Sequence, residues 1–245
     1  MNTHVDLPGE QPIDQPDKTG PGALRGEVWL NVQTYQARSL IKGRRGGEGK
    51  PAIIGLVGFA ERVKVLWQAV RSDDPYADWW LVKVEESIGD VRSQLHRLQD
   101  QLQAVLVNVD CFEVTFAQSS RPQRVSLQFA NPYAFRAAQM LADYDRMVCT
   151  WMTVRHLGMA LPTEIAEQVS GSGRWLRRVF ALPQSYQYLE ISRSDIHQDT
   201  ARAVKARERM GDLPQEILDG WKLPSLRPVT FQRASATCSP ACQDG

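Results

Sequence analysis

The sequence predicts a mainly helical protein with a small antiparallel β element, which places it in the α+β class. Long stretches of the 245-residue chain carry apolar side chains every three or four positions, as amphipathic helices do. Three short segments, residues 27–34, 112–117 and 124–130, instead alternate apolar and polar side chains, which is typical of strands. With 42% hydrophobic and 23% charged residues, the chain has enough apolar material for one sizeable core.

The composition also divides the chain. Residues 1–22 are rich in Pro, Gly, Asp and Gln, residues 223–245 are rich in Pro, Ser and Gln, and neither end shows hydrophobic periodicity. We therefore expect two disordered tails around a single, mostly helical domain at 23–222. The net charge is +1, but the first twenty residues hold four acidic residues and one lysine, so the remainder is mildly basic at +4.

The sequence gives no sign of a membrane segment or a metal site. No apolar run is long enough to span a bilayer, and the first residues lack a signal-peptide pattern, so we expect a cytoplasmic protein without membrane contact. Cys238 and Cys242 stand in a polar tail without a further Cys or His nearby, whereas a zinc site needs four ligands. We expect no metal and no cofactor.

A glycine-rich basic loop, GRRGGEGK, occupies positions 43–50. It departs from a phosphate-binding P-loop, because Arg44 stands at the first glycine position and Pro51 replaces the hydroxyl residue that would hold magnesium. We interpret it as an exposed loop in which Arg44 and Arg45 either contact nucleic-acid phosphates or are solvated.

The segment SDDPYADWW at 72–80 marks the start of a helix. Its three aspartates raise the possibility of a metal site, but no His or further acidic residue lies at ligand spacing. Asp74 suits the N-cap, Pro75 the first helical position, and Asp78 the positive end of the helix dipole.

The helix that follows is predicted to run to about residue 106 and carries a heptad seam. Its apolar residues recur at alternating spacings of four and three: Val84, Ile88, Val91, Leu95, Leu98, Leu102 and Val105. Flanking positions are largely Gln and Ser, so charge pairing across a parallel coiled coil is poorly specified. The seam fits either an intramolecular helix pair or a dimer zipper.

Residues Phe112–Ala117 and Arg124–Ala130, separated by a polar stretch with a proline, predict a β-hairpin or two small strands. Apolar residues alternate along the second strand, and the face opposite them carries Arg124, Ser126 and Gln128. Arg pairs with guanine, Gln with adenine and Ser with either, so this face is a candidate base-reading surface for a DNA major groove. The alternative is an edge strand with a solvated outer face.

Two helices are predicted after the hairpin. Asn131 and Pro132 open a long core helix that ends near Gly158, and Thr163 begins the next one. In a ribbon-helix-helix arrangement the second helix offers free N–H groups to a phosphate, which makes Thr163 a candidate phosphate contact. Farther along, three arginines either add non-specific phosphate contacts or form a solvated face: Arg174, Arg177 and Arg178.

The sequence contains no arrangement typical of catalysis. Each of the four histidines is explained as a surface or cap residue. Asp143 and Asp145 could be considered an acid pair, but neighbouring helix residues point apart. We therefore expect no catalytic residue and no enzymatic activity.

Four blocks, taken in order, resemble a family of integrating conjugative element proteins related to AcaB-like transcriptional regulators of conjugative plasmids. The blocks are GRR at 43–45, KPAIIGLVGFAERV at 50–63, SDDPYADWWL at 72–81 and FANPYAFRAAQML at 129–141. The resemblance covers residues 24–160. It implies a role in conjugation of a mobile genetic element and, for the AcaB-like branch, a ribbon-helix-helix DNA-binding fold that acts as a dimer.

The leading hypothesis is a cytoplasmic, homodimeric regulator of the transfer genes of an integrative conjugative element, with double-stranded DNA as its partner. Its fold would be a ribbon-helix-helix-like core elaborated with long helices. The alternative is a non-catalytic accessory or assembly protein that uses the heptad seam to bind conjugation or mobilisation proteins.

Overall fold

Two long helices form the centre of the computed structural model, which describes residues 28–47, 49, 51–107, 114–127 and 131–228. The central pair is α3 (Pro75–Val107) and α4 (Pro132–His156). The elements before α3 are β1 (Val28–Val32), α1 (Tyr35–Lys42), β2 (Gly43–Arg44), β3 (Ile53–Ile54) and α2 (Leu56–Arg71). Between the pair lies β4 (Gln123–Leu127). After it come α5 (Thr163–Gly171), α6 (Gly173–Ala181), a short 3₁₀ helix (Leu182–Ser185), α7 (Arg193–His197), α8 (Ala201–Met210) and α9 (Gln215–Leu218).

Both central helices begin where the sequence predicts. The Asp74 Oδ1 atom accepts hydrogen bonds from the N–H groups of Tyr76 at 2.8 Å and Ala77 at 3.2 Å, as an N-cap does. Asn131 caps α4 in the same way, through a 2.9 Å bond from the N–H of Ala134. The predicted mainly helical class with a small antiparallel β element is confirmed.

The helices α3 and α4 pack side by side and run in the same direction. Three polar contacts at seven-residue steps fix their register: Glu85 with Arg136 at 2.6 Å, Arg92 with Asp143 at 2.8 Å, and Gln99 with Thr150 at 3.0 Å. The residues of the heptad seam lie in the core, and Val105 is partly buried against it. The seam therefore forms an intramolecular helix pair and is not free to form a dimer zipper.

A parallel helix pair requires a connection that returns along the first helix. From the end of α3 to the level of Leu81, where α4 begins, the chain must travel back about 40 Å. Residues 108–131 can span about 80 Å when extended, so they are long enough to return and still include β4. The parallel packing of α3 and α4 thus requires a long connection between them, and this connection includes β4.

The strand β4 pairs antiparallel with β1, so the predicted hairpin is wrong. Val28 lies opposite Leu127, and Val32 lies opposite Gln123. Residues 114–117 of the predicted first strand have no strand conformation, and Phe112 and Glu113 lie outside the described residues. The physical reason is that residues 114–119 form part of the return connection, whereas β1 presents an apolar face that matches that of β4.

Hydrogen bonds attach the connection between α3 and β4 to other parts of the fold. The N–H of Ala117 donates to Thr153 Oγ1 on α4 at 2.8 Å, and the N–H of Ser119 donates to Gln33 Oε1 at 3.1 Å. These backbone groups are therefore engaged with side chains and not with a neighbouring strand.

Six residues of the predicted C-terminal tail, 223–228, are described and lie against the central helices. The N–H of Ser225 donates to Glu85 at 2.8 Å, the Tyr133 hydroxyl donates to the carbonyl of Leu226 at 3.1 Å, and Arg227 bonds to Asp78. Residues 1–27 and 229–245 lie outside the described residues. The division into one domain and two tails stays a prediction.

Candidate functional site

The ribbon formed by β1 and β4 has an exposed polar outer face. Asn31 lies opposite Arg124 and Trp29 lies opposite Ser126, and all four side chains are exposed. The Arg124 guanidinium lies 4.3 Å from the centre of the Trp29 ring, within the range of a cation–π contact. Two of the predicted base-reading residues, Arg124 and Ser126, therefore share one face. Gln128 lies outside the described residues.

A buried carboxylate on α4 anchors the end of β1. Asp145, 4% exposed, accepts hydrogen bonds from the N–H of Gln33 at 2.7 Å, the N–H of Thr34 at 2.9 Å and the Thr34 hydroxyl at 2.6 Å. The Thr34 hydroxyl also caps α1 by accepting from the N–H of Ala37. One carboxylate thus fixes the junction at which β1 ends and α1 begins.

Sequence reasoning missed this role of Asp145. The only local signal is an acidic residue within an otherwise buried helix face, and its partners lie more than 100 positions earlier. Asp143 points elsewhere, to Arg92 at 2.8 Å and His96 at 3.4 Å on α3. The two aspartates therefore do not form an acid pair.

The predicted phosphate contacts Arg44 and Arg45 are exposed on the connection between α1 and α2. Arg44 lies in β2, which pairs with β3, and its guanidinium donates to the carbonyl of Pro51 at 3.2 Å. Gly43 is required at the start of β2, because it has φ +71° and an added Cβ would lie 2.0 Å from the carbonyl oxygen of Ile53. The glycine therefore allows a tight turn that presents the neighbouring arginines to solvent.

Thr163, the third predicted phosphate contact, is the first residue of α5 and is exposed. The N-cap position is occupied by Pro162, which makes no side-chain cap bond. Glu164 lies in the same first turn and brings a negative charge to this helix end. α5 packs against α6, which in turn packs against α1 and β3, the elements that flank Arg44 and Arg45.

A comparison with protein-family models identifies the chain. The model described as the transcriptional regulator AcaB matches residues 20–230. The chain belongs to the AcaB family of transcriptional regulators. The coarse part of the predicted function, a transcriptional regulator, is thereby confirmed, and DNA is the partner that such a family indicates. No curated protein matches the chain.

A solved AcaB structure has a similar fold. The crystal structure of selenomethionine-containing AcaB from uropathogenic E. coli matches with a TM-score of 0.51 and 13% sequence identity. The match covers 79% of this chain and 95% of that one. At this identity the likeness supports the fold alone.

A group of charged residues in this AcaB-family chain surrounds the buried Asp78 at the start of α3, and we call it the Asp78 cluster. Asp78 accepts a hydrogen bond from Arg193 at 2.6 Å and two from Arg227 at 2.9 Å each. Arg193 also bonds to Asp73. The neighbouring Asp74 accepts a hydrogen bond from the Tyr186 hydroxyl at 2.6 Å.

Burial affects protonation in this cluster. It raises the pKa of Asp74 to about 6, against the lowering effect of hydrogen bonds from Tyr186 and from two backbone N–H groups. Burial also raises the pKa of Tyr186, and the adjacent Asp74 carboxylate adds to that rise. The aspartates of SDDPYADWW therefore bind residues of the C-terminal part of the chain, in addition to capping α3.

An open cavity of about 240 Å³ lies beside the ribbon, lined by Gln33–Gln36, Ala117–Ser119, Cys149 and Met152. Burial raises the pKa of Cys149 to about 11, so its thiol stays protonated at neutral pH and is a poor nucleophile. Within the described ranges, no group of three or more His, Cys, Asp or Glu could hold a metal ion. In that same part of the chain, no helix is long and apolar enough to cross a membrane.

Proposed function

We propose that the protein is a DNA-binding regulator of the conjugative transfer genes of an integrative conjugative element, and that it reads its operator with the outer face of the β1–β4 ribbon. The base-reading residues in this proposal are Arg124, Ser126 and Gln128. The observation that carries it is the exposed Arg124–Ser126 face on a ribbon whose other face is anchored in the core.

The shape of the ribbon suits a major groove. A two-stranded antiparallel ribbon fits the groove, which is about 12 Å wide, and side chains on its outer face reach the base edges. On one strand this face offers Arg124 and Ser126, and on the other Asn31, which can pair with adenine. The ribbon thus presents three polar side chains in neighbouring positions.

Two contacts restrict the motion of this face before DNA binds. The cation–π contact with Trp29 restrains the Arg124 guanidinium, whose N–H groups are the donors for a guanine in this proposal. Asp145 holds the end of β1 through three hydrogen bonds. An ordered reading face loses less conformational entropy when it binds, which favours affinity.

The phosphate contacts in this proposal are Arg44, Arg45 and Thr163. The two arginines are exposed, and neither forms an ion pair with a carboxylate among the described residues. The N terminus of α5 at Thr163 would offer its free N–H groups to a phosphate. These contacts would position the duplex without reading its sequence.

We further propose a homodimer that uses a variant of the ribbon-helix-helix mode. In the expected arrangement two copies of β4 would pair with each other, whereas β1 of the same chain occupies one edge of β4. Each protomer then carries a complete ribbon. A two-fold dimer would present two ribbons to two half-sites of a palindromic operator, about one or more helical turns apart.

The test is DNA binding measured by fluorescence anisotropy at about 50 mM salt. The probes are promoter fragments of the element's transfer genes and an unrelated duplex of the same length. We expect Arg124→Ala to weaken promoter binding roughly 5- to 150-fold, as for the loss of one bidentate base contact, and to change binding of the unrelated duplex much less. Gln128→Ala should act in the same direction.

Lys205→Ala is the charge control, because Lys205 is exposed on α8 and, within the described part of the chain, has no ion-pair partner. It removes one positive charge away from the ribbon and should leave promoter preference unchanged. Absence of binding at low salt, or equal promoter affinity of the Arg124→Ala variant and the wild type, would overturn the proposal.

A further inference from the structure

Three neighbouring elements present a surface of one charge sign, which we call the α1–α6 surface. Its residues are Arg38 and Lys42 on α1, Arg44 on β2, and Arg174, Arg177 and Arg178 on α6. α6 packs against both α1 and β3, the strand that pairs with β2. None of α1, β2, β3 and α6 contains an acidic residue. The surface therefore concentrates positive charge in a chain whose net charge is only +1.

The cations of this surface have no acidic partner in the described part of the chain. Arg44 bonds to a backbone carbonyl, and the half-buried Arg177 lies near the Tyr144 hydroxyl, whose pKa it lowers against the larger effect of burial. Arg174 and Arg178 are exposed and form no ion pair with any residue that the structure describes. Their charge is thus available to a partner outside the chain.

The helix α8 is also basic, but most of its arginines form ion pairs with acidic residues. Its Arg207 pairs with Asp199 at 3.0 Å and with Asp212 at 3.6 Å, and its Arg202 pairs with Asp195 at 3.7 Å. Two of the three arginines of α8, Arg202 and Arg207, are therefore paired with acidic residues nearby, whereas no arginine of α6 has such a pair among the described residues. Two basic helices of similar length thus differ in the charge that they offer to a ligand.

The position of the surface relates it to the ribbon. α1 begins three residues after the end of β1 and ends at Lys42, next to β2. Eight helical residues extend about 12 Å, so the surface begins within about 12 Å of the ribbon. This distance is comparable to the width of the major groove, so its scale suits a single duplex that contacts both the ribbon and the surface.

We infer that the α1–α6 surface binds the phosphate backbone of the duplex and supplies the sequence-independent part of the affinity, while the ribbon supplies the preference for the operator. This inference rests on the proposed DNA-binding function. Arginine suits the role, because its planar guanidinium bonds to phosphate through two N–H groups. Binding through released counterions weakens steeply with salt, which gives the surface a measurable property of its own.

The experiment compares the wild type with the double variant Arg174→Gln/Arg178→Gln across about 50–300 mM salt. Arg177 is left in place because it is half-buried. The measured quantities are the affinities for the promoter fragment and for the unrelated duplex. We expect both affinities to fall by the same factor, and the slope of log affinity against log salt to become shallower by about 2, which corresponds to two lost phosphate contacts.

The matched control is Lys205→Gln/Arg209→Gln on α8. It also removes two exposed positive charges, and Arg209 bonds only to the neutral Gln187 side chain among the described residues, so no ion pair is broken. This control should keep the salt slope of the wild type. An equal change of slope in both double variants would mean that net charge alone is responsible and would overturn the inference.

The outcomes separate the two proposals. If the wild type binds neither duplex at low salt, the DNA-binding function fails. If the wild type binds and the Arg174→Gln/Arg178→Gln variant keeps its salt slope, only the α1–α6 inference fails. If this variant loses promoter preference but keeps its affinity for the unrelated duplex, the arginines read bases, and the assignment to the phosphate backbone is overturned.

Discussion

The Asp78 cluster and the α1–α6 surface both depend on arginine, but they use its charge in opposite ways. In the cluster, Arg193 and Arg227 approach a carboxylate that is fully buried, with side-chain exposures of 17%, 26% and 0%. On the surface, Arg174 and Arg178 face solvent without an acidic partner in the described residues. The difference indicates which charges maintain the fold and which remain for a ligand.

The cluster joins distant parts of the chain. Arg193 is the first residue of α7 and lies 115 positions after Asp78. Arg227 lies in the last described segment, 149 positions after Asp78. Each of its charged groups has partners of opposite sign or hydrogen-bond donors, as buried charges require. Its removal should therefore affect stability, whereas changes at the α1–α6 surface should affect binding.

The largest expected effect is that of Asp78→Asn, which keeps the side-chain shape and removes the charge. Two half-buried guanidinium groups would lose their shared carboxylate, so we expect the free energy of unfolding to fall on the order of 3–5 kcal/mol. Urea denaturation followed by circular dichroism measures it. Asp199→Asn is the comparison: it breaks an exposed pair with Arg207 and should cost less than about 1 kcal/mol. Similar losses in both variants would contradict a special role of the cluster.

An intermediate effect concerns pH and Asp74. Its pKa is about 6 in the folded protein, above the ordinary value of 3.8, so the folded state holds this proton more tightly than the unfolded state. The stabilisation from this group is present at low pH and is lost as pH rises from about 4 through about 6. Asp74→Asn removes the titration and retains a capping residue.

Unfolding of the wild type and the Asp74→Asn variant at pH 4.5 and pH 7.5 tests this prediction. The stability of the wild type relative to the variant should be higher at pH 4.5. Comparison with the variant cancels the pH dependence that comes from other carboxylates, such as Glu85. Burial raises the pKa of Glu85, but hydrogen bonds from Ser225 and Arg136 together lower it by more, so its pKa lies below the ordinary value. A difference that grows with pH would show that Asp74 is charged in the fold at low pH.

The smallest expected effect on stability is that of Arg174→Gln/Arg178→Gln. Exposed, unpaired side chains contribute little to folding, so the free energy of unfolding should change by less than about 0.5 kcal/mol. The same urea experiment measures it. A loss above about 1 kcal/mol would mean that these arginines stabilise the fold, as Arg193 and Arg227 do. The contrast between the two regions would then be wrong.

Local features of the sequence predicted the helices well. Asp74 and Pro75 mark the start of α3, Asn131 and Pro132 mark the start of α4, and the heptad repeat identifies the buried face of α3. Such signals depend on residues within one or two turns, so they can be read without knowing the fold. The same holds for the alternation that identified β1 and β4 as strands.

Pairings between distant residues could not be read in this way. The β1 partner of β4 lies more than 90 positions earlier, and the predicted hairpin placed that partner in the wrong segment. The role of Asp145 was missed for the same reason, because its hydrogen-bond donors, Gln33 and Thr34, are over 100 positions away. A local pattern indicates that a polar group needs a partner but does not identify it.

The sequence alone determined the mainly helical class, the limits of the central helices, the apolar face of α3 and the resemblance to AcaB-like regulators, because each depends on local composition and spacing. Tertiary structure decided that α3 packs in parallel with α4, that β4 pairs with β1, and that SDDPYADWW binds Arg193 and Arg227. These outcomes depend on how the whole chain buries apolar surface and satisfies buried charge. The segment at 72–80 shows both levels, since Asp74 caps its own helix and Asp78 binds the far end of the described chain.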